Sequence, residues 1–198
     1  MGAICSSQTE ATNGAPRGKL TKLGEEVVSG QKEFIEIINN IKKMNTHSEK
    51  EKALEELIPT KYFCHFLRLL EICIQQNLYM HRCCWLLWNL SFSFECGEEI
   101  LLSINHELLF SILHKIQKPI ANSACDSVCH TELDKNKKIA QCALNAFANL
   151  ACIPTCHTEL DKNKEILYDL CKAWEMQDVY EKIKRNRFGN ETLLDWPN

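Results

Sequence analysis

Long apolar runs are missing from this sequence. No stretch reaches the about 18 residues that a membrane-spanning helix requires, and the N-terminus lacks the basic-then-apolar order of a secretory signal. Glycine and proline are scarce, at 7 and 5 of 198 residues, which argues against an all-β chain with its many turns. A large charge of one sign is missing too. With 23 Lys and Arg against 26 Asp and Glu, the net charge of -3 does not suit a protein that coats nucleic acid. The glycine-rich phosphate loops, the G-x-S-x-G elbow and the H-E-x-x-H zinc motif are all absent. The chain therefore reads as a non-enzyme, with no catalytic residue and no cofactor assigned.

Cysteine is the abundant exception, at 12 residues. With no route into the secretory pathway visible, the thiols are expected to stay reduced. Cys64, Cys73, Cys83, Cys84, Cys142 and Cys171 fall inside apolar helical patterns, where a thiol behaves as a small core residue.

The periodicity predicts an all-α domain over residues 23–187, between a flexible tail (residues 1–22) and a frayed end (residues 188–198). Glu25–Met44 reads as N-terminal helices that close one end of the domain. Lys61–Gln76 places Tyr62, Phe63, Phe66, Leu67, Leu70, Cys73 and Ile74 on one face, with Pro59 just ahead. Leu78–Phe92 is a second apolar helix. Glu98–Gln117 reads as two pieces broken near Asn105, the second ended by Pro119. Lys138–Ala151 stacks Ala140, Ala143, Leu144, Phe147 and Ala151, and Thr158 to Lys184 reads as one further helix.

A block repeats almost unchanged. IANSACDSVCHTELDKNKKI (Ile120–Ile139) returns as FANLACIPTCHTELDKNKEI (Phe147–Ile166), too close a match for an old structural repeat. Each copy carries Thr-x-x-Asp (Thr131 with Asp134, Thr158 with Asp161), a capping-box pattern expected to open a helix. Each also carries Cys-x-x-x-Cys-His, as Cys125, Cys129 and His130, then as Cys152, Cys156 and His157. Such ligands suit zinc, but the spacing lies outside the usual tight turns and duplication alone would repeat it. No metal is assigned.

Two segments, Met80–Gln117 and Lys137–Cys152, resemble the third helix of an armadillo repeat and its continuation. Leu87-Trp88-Asn89-Leu90-Ser91 and Phe147-Ala148-Asn149-Leu150-Ala151 stand at the Ala-Leu-x-Asn-Leu-Ala signature. The resemblance covers about residues 55–180 and implies a short right-handed α-α superhelix of armadillo or HEAT-like type. Its signature asparagines are 60 positions apart where the family expects roughly 40. The surplus falls on the duplicated block, so the register of residues 118–137 is the doubtful part.

The resemblance implies a concave groove for an extended peptide, lined by His81, Trp85 and Asn89 on one helix and Gln141, Asn145 and Asn149 on the next. Trp85 and Asn89 are similar to the pair with which importin-α-type proteins hold a peptide, the Asn bonding its backbone. Arg82 would repel a basic peptide there. The alternative puts Trp85 and Trp88 in the core, with Asn89 satisfying backbone groups at the helix end.

Met1-Gly2-Ala3-Ile4-Cys5-Ser6 fits M-G-x-x-x-[ST], which predicts myristate on Gly2, with Cys5 as the second, palmitoylated anchor that stable binding needs. An acylated tail before armadillo repeats is similar to the arrangement of membrane-tethered armadillo proteins. The sequence thus predicts a cytoplasmic adaptor on the cytosolic face of a membrane, with a protein or extended-peptide partner and no nucleic acid. A soluble importin-like peptide receptor, or a regulator of a GTPase or kinase, is the alternative.

Overall fold

The computed structural model describes residues 32–76, 80–123, 130–189 and 196. Among these residues the chain is helical without strands. Helix α1 covers residues 32–42. It is followed by α2 (His47–Glu55), α3 (Lys61–Gln76), α4 (Met80–Leu90), α5 (Phe94–Ser103), α6 (His106–Ser123) and α7 (His130–Leu150). A 3-10 turn, Pro154–Cys156, leads to α8 (His157–Lys162), α9 (Lys164–Ala173) and α10 (Gln177–Phe188). No single helix among the described residues is long and apolar enough to cross a membrane.

The apolar stripes dictate the packing. Phe63, Phe66, Leu70 and Ile74 of α3 are buried at helical spacing, and α4 buries Met80, Cys83, Cys84, Leu86, Leu87 and Leu90. In α7 the buried residues include Ala140, Ala143, Ala146 and Ala148, whose small side chains let neighbouring helices approach closely. The contacts fall into rows. Helix α4 packs on α7 and α7 on α10; α3 packs on α6 and α6 on α9; α2 packs on α5, and α5 on the 3-10 turn. Gly97 is where α5 comes closest, since a Cβ there would sit 2.6 Å from Ile153 Cδ1. One continuous core results.

Several helix ends are set by side chains. Thr46 and Glu49 form a reciprocal capping box for α2, Ser93 Oγ accepts from the Cys96 N–H, and Asn105 Oδ1 accepts from the Leu108 N–H. The break expected near Asn105 is there, between α5 and α6.

Other expectations need correction. Pro119 does not end α6, which runs on to Ser123; a proline removes one N–H donor and strains the turn before it without forbidding further turns. Thr158 does not cap α8. That helix starts at His157 with Cys156 at the N-cap and no side-chain cap bond, so Thr158 lies inside it. The single helix expected from Thr158 to Lys184 breaks twice, at Asn163 and at Glu175. Glu175 has φ +58, and the Met176 and Glu175 N–H groups return to the Cys171 and Lys172 carbonyls. That is a Schellman closure with glutamate where glycine is usual, and Met176 and Cys171 are both buried beneath it. Trp196, from the segment expected to fray, is buried, with its ring 5.9 Å from Tyr180 and 5.4 Å from Phe188.

Candidate binding groove

The packing of α4 on α7 brings the six expected groove residues together. His81, Trp85 and Asn89 lie along α4, and Gln141, Asn145 and Asn149 lie along α7, at the four-residue spacing that keeps side chains on one face. His81 and Gln141 are exposed; the other four are half-buried. Helix α10 continues the row on the far side of α7, with Lys182 and Asn186 at the same spacing.

The asparagines already have work within the fold. Asn149 Nδ2 donates to the Trp88 carbonyl at 3.4 Å and to Ser91 Oγ at 3.3 Å, and Asn149 Oδ1 accepts from Lys182 Nζ at 2.8 Å. Asn186 Nδ2 donates to the Ala148 carbonyl at 2.6 Å. Trp88 precedes Asn89 and Ala148 precedes Asn149, so the same bond recurs one helix further on. The amides of Asn89 and Asn145 turn instead to the carbonyls of Trp85 and Gln141 in their own helices, at 2.6 and 2.8 Å. For Asn89 this is the backbone-satisfying role that the sequence left open as the alternative.

Trp85 and Trp88 are partly buried against the core. Lys42 Nζ, from α1, stands 5.2 Å from the Trp85 ring centre and 5.9 Å from that of Trp88, within cation–π range. The surrounding field is positive. Burial first, then the charges of Lys138 and Arg82, holds the His81 imidazole below its usual pKa. Cys142, beneath the face on α7, has its thiol raised to about 11 by burial, with Lys42 pulling the other way.

Lys42, Lys182 and Asn186 were not read from the sequence. A signal existed for Asn186, which follows Asn149 by 37 residues, close to the repeat length expected. It sits in Arg-Asn-Arg-Phe, which does not look like the signature. The two lysines had none, because their roles depend on which helices pack together.

The cysteine–histidine motif of the second copy serves the end of α7. Cys152 Sγ donates to the Asn149 carbonyl at 2.8 Å, Cys156 Sγ to the Leu150 carbonyl at 2.9 Å, and His157 Nε2 lies 2.9 Å from the Ala151 carbonyl. The Asn149 and Leu150 carbonyls also accept the Cys152 and Ile153 N–H groups, so these side chains add to a helix end that its own turn partly satisfies. Burial raises the Cys156 thiol to about 12, which works against the thiolate a metal would need. Burial also lowers the His157 pKa, partly offset by the Ala151 carbonyl. Gly2, Cys5, Cys125 and Cys129 lie outside the described residues. Glu51, Glu55 and Glu95 gather their carboxylates at the surface, where burial first and then Glu95 raise the pKa of Glu55.

No family model, curated protein or solved structure matches the chain.

Proposed function

We propose that the chain is a non-enzymatic, armadillo-like adaptor that holds a protein partner along the face formed by α4, α7 and α10. The observation that carries this reading is the order of packing. Helices α2, α3, α4, α6 and α7 each meet the helix three places further on, and α5 meets the 3-10 turn just ahead of α8, as three-helix units stacked in register would: α2–α4, α5–α7 and α8–α10, with α1 ahead of them. Such stacking is what a short armadillo-type superhelix requires. The repeated asparagine bond from α7 to α4 and from α10 to α7 supports the same register. In this reading α4, α7 and α10 are equivalent third helices, and their shared face is the groove.

The membrane half of the proposal rests on the sequence alone. Gly2 carries myristate and Cys5 palmitate, and the adaptor works on the cytosolic face of a membrane. Intact mass of the protein from its native cell tests it: loss of Met1 with one added myristoyl group is expected, and an unmodified mass removes the anchor. An importin-like receptor for basic peptides is the weaker reading, because Lys42 already occupies the Trp85 and Trp88 rings and Arg82 shares their helix.

A further inference from the structure

We infer that the groove takes an extended acidic segment of its partner, with carboxylates spaced about three residues apart. This rests on the proposed groove and adds the chemistry of the occupant. The row of helices α1, α4, α7 and α10 presents one cation after another: Lys42, Arg82, Lys138 and Lys182, with Arg185 beside the last. Arg82 falls beside Asn89 around α4, on the side away from Trp85, and Lys138 leads the stripe of Gln141, Asn145 and Asn149 on α7. Helix α4 contains no acidic residue at all. Among the described residues, Asp134 and Asp178 are the carboxylates in register on α7 and α10, and both sit toward the N-terminal ends of those helices.

A chain with a net charge of -3 thus concentrates positive charge on one face. That is the arrangement that steers an acidic ligand and repels a basic one. Burial is the main cause of the depressed His81 pKa, and Lys138 and Arg82, both close enough to act on it, lower it further. Neighbouring helices lie about 8–10 Å apart, while an extended chain advances about 3.3 Å per residue. One helix therefore matches about three residues of peptide, which fixes the spacing. Lys182, held by Asn149, and Lys42, held over the tryptophans, are positioned in advance, so little side-chain freedom remains to be lost on binding.

The test uses the full chain and fluorophore-labelled peptides of twelve residues with Glu, Gln or Lys at every third position, beside a twelve-nucleotide oligothymidylate. The Glu peptide is expected to bind best and to weaken as salt rises. Arg82→Glu and Lys138→Glu should each weaken it by about tenfold, the scale of lost charge complementarity. Arg68→Glu, the same charge change at an exposed position of α3, outside the row of α1, α4, α7 and α10, should alter it by less than about twofold, because solvent and salt screen an exposed charge off the binding face. Circular dichroism of each variant establishes that it remains folded. Tighter binding of the Lys or Gln peptide, lost in Asn145→Ala, would overturn the acidic partner and leave the groove standing. Glu-peptide binding that ignores both groove reversals would overturn both readings. Tighter binding of the oligonucleotide, or no binding by any probe, would overturn the acidic-peptide inference.

Discussion

A stretch of nine residues occurs twice in this molecule, and the eight that are described in both copies fold in two ways. Cys129–Lys137 and Cys156–Lys164 are identical, yet His130 to Lys137 run on without a break into the long α7, while His157 to Lys162 form the short α8. The second copy then pauses at Asn163, whose Nδ2 bonds back to the Glu159 carbonyl at 2.8 Å, and restarts as α9. Part of the reason lies just outside the identical stretch. Ile153-Pro154 in the second copy stands where the first has Asp126-Ser127, and Pro154 opens the 3-10 turn that separates α8 from α7. Glu165 stands where the first copy has Lys138. An acid belongs in the first turn of a helix, where α9 has it, and a lysine there would oppose the dipole. The rest is tertiary. Leu160 and Cys156 are fully buried, His157 holds the end of α7 and Asp161 pairs with Arg187, whereas Asp134 and Lys135 of the first copy face solvent. An identical local sequence is ambivalent, and its neighbours decide.

The strongest way to break this comparison is to empty the anchor of the second copy. Leu160→Ala should cost about 2–5 kcal/mol, the range for truncating a buried leucine. For a chain of this size that lowers the melting temperature by about 2–4 °C per kcal/mol. Thermal unfolding followed by circular dichroism measures it. A change within error would mean that Leu160 does not hold α8 in place.

Next comes Asn149, inside the second copy and at the centre of the proposed groove. A side chain that merely faced a peptide could be truncated with little effect on folding. Here it bridges Trp88 and Ser91 of the α4 end to Lys182 of α10. Asn149→Ala is therefore expected to destabilise the free protein by about 1–3 kcal/mol, through groups left without partners. Asn186→Ala, which loses one such bond, should cost about 1 kcal/mol. Urea unfolding of both variants gives the numbers. Losses that add in the double variant would show that the two bonds act independently; a coupling would show one connected row.

These residues also mark how much was legible beforehand. The all-helical character, the apolar faces of α3, α4 and α7 and the break at Asn105 follow from periodicity and turn chemistry, which are local. The spacing that puts His81, Trp85 and Asn89 on one face of α4, and Gln141, Asn145 and Asn149 on one face of α7, is legible too, because it needs only the helical period. What could not be read was decided by partners distant in sequence. Lys42 reaches Trp85, Lys182 reaches Asn149, and Arg187 reaches Asp161 only after the helices have stacked. Glu175 escaped for a different reason. Its left-handed backbone is imposed by the burial of Met176 and Trp174 on either side, and glutamate carries no turn signal of its own.

The finest test sets the two aspartates of the identical stretch against each other. Asp161 lies in a bidentate arrangement with Arg187, at 3.0 Å from Nη2 and 3.4 Å from Nε, and links α8 to the last turns of α10. Asp134, its counterpart, is exposed on α7, in helical register with the proposed groove face. The Asp161 side chain retains 43% of its exposure and that of Arg187 21%, so solvent screens much of their attraction. A double-mutant cycle over Asp161→Asn and Arg187→Gln should return about 0.3–1 kcal/mol, shrinking in high salt as a partly exposed pair must. Asp134→Asn should change stability by less than about 0.5 kcal/mol, the usual range for a surface substitution. Removing a carboxylate from the groove face should at the same time strengthen an acidic peptide slightly. Equal effects at positions 134 and 161 would mean that the identical segments stand in equivalent surroundings, and the contrast between the copies would then have to come from Ile153-Pro154 and Glu165 alone.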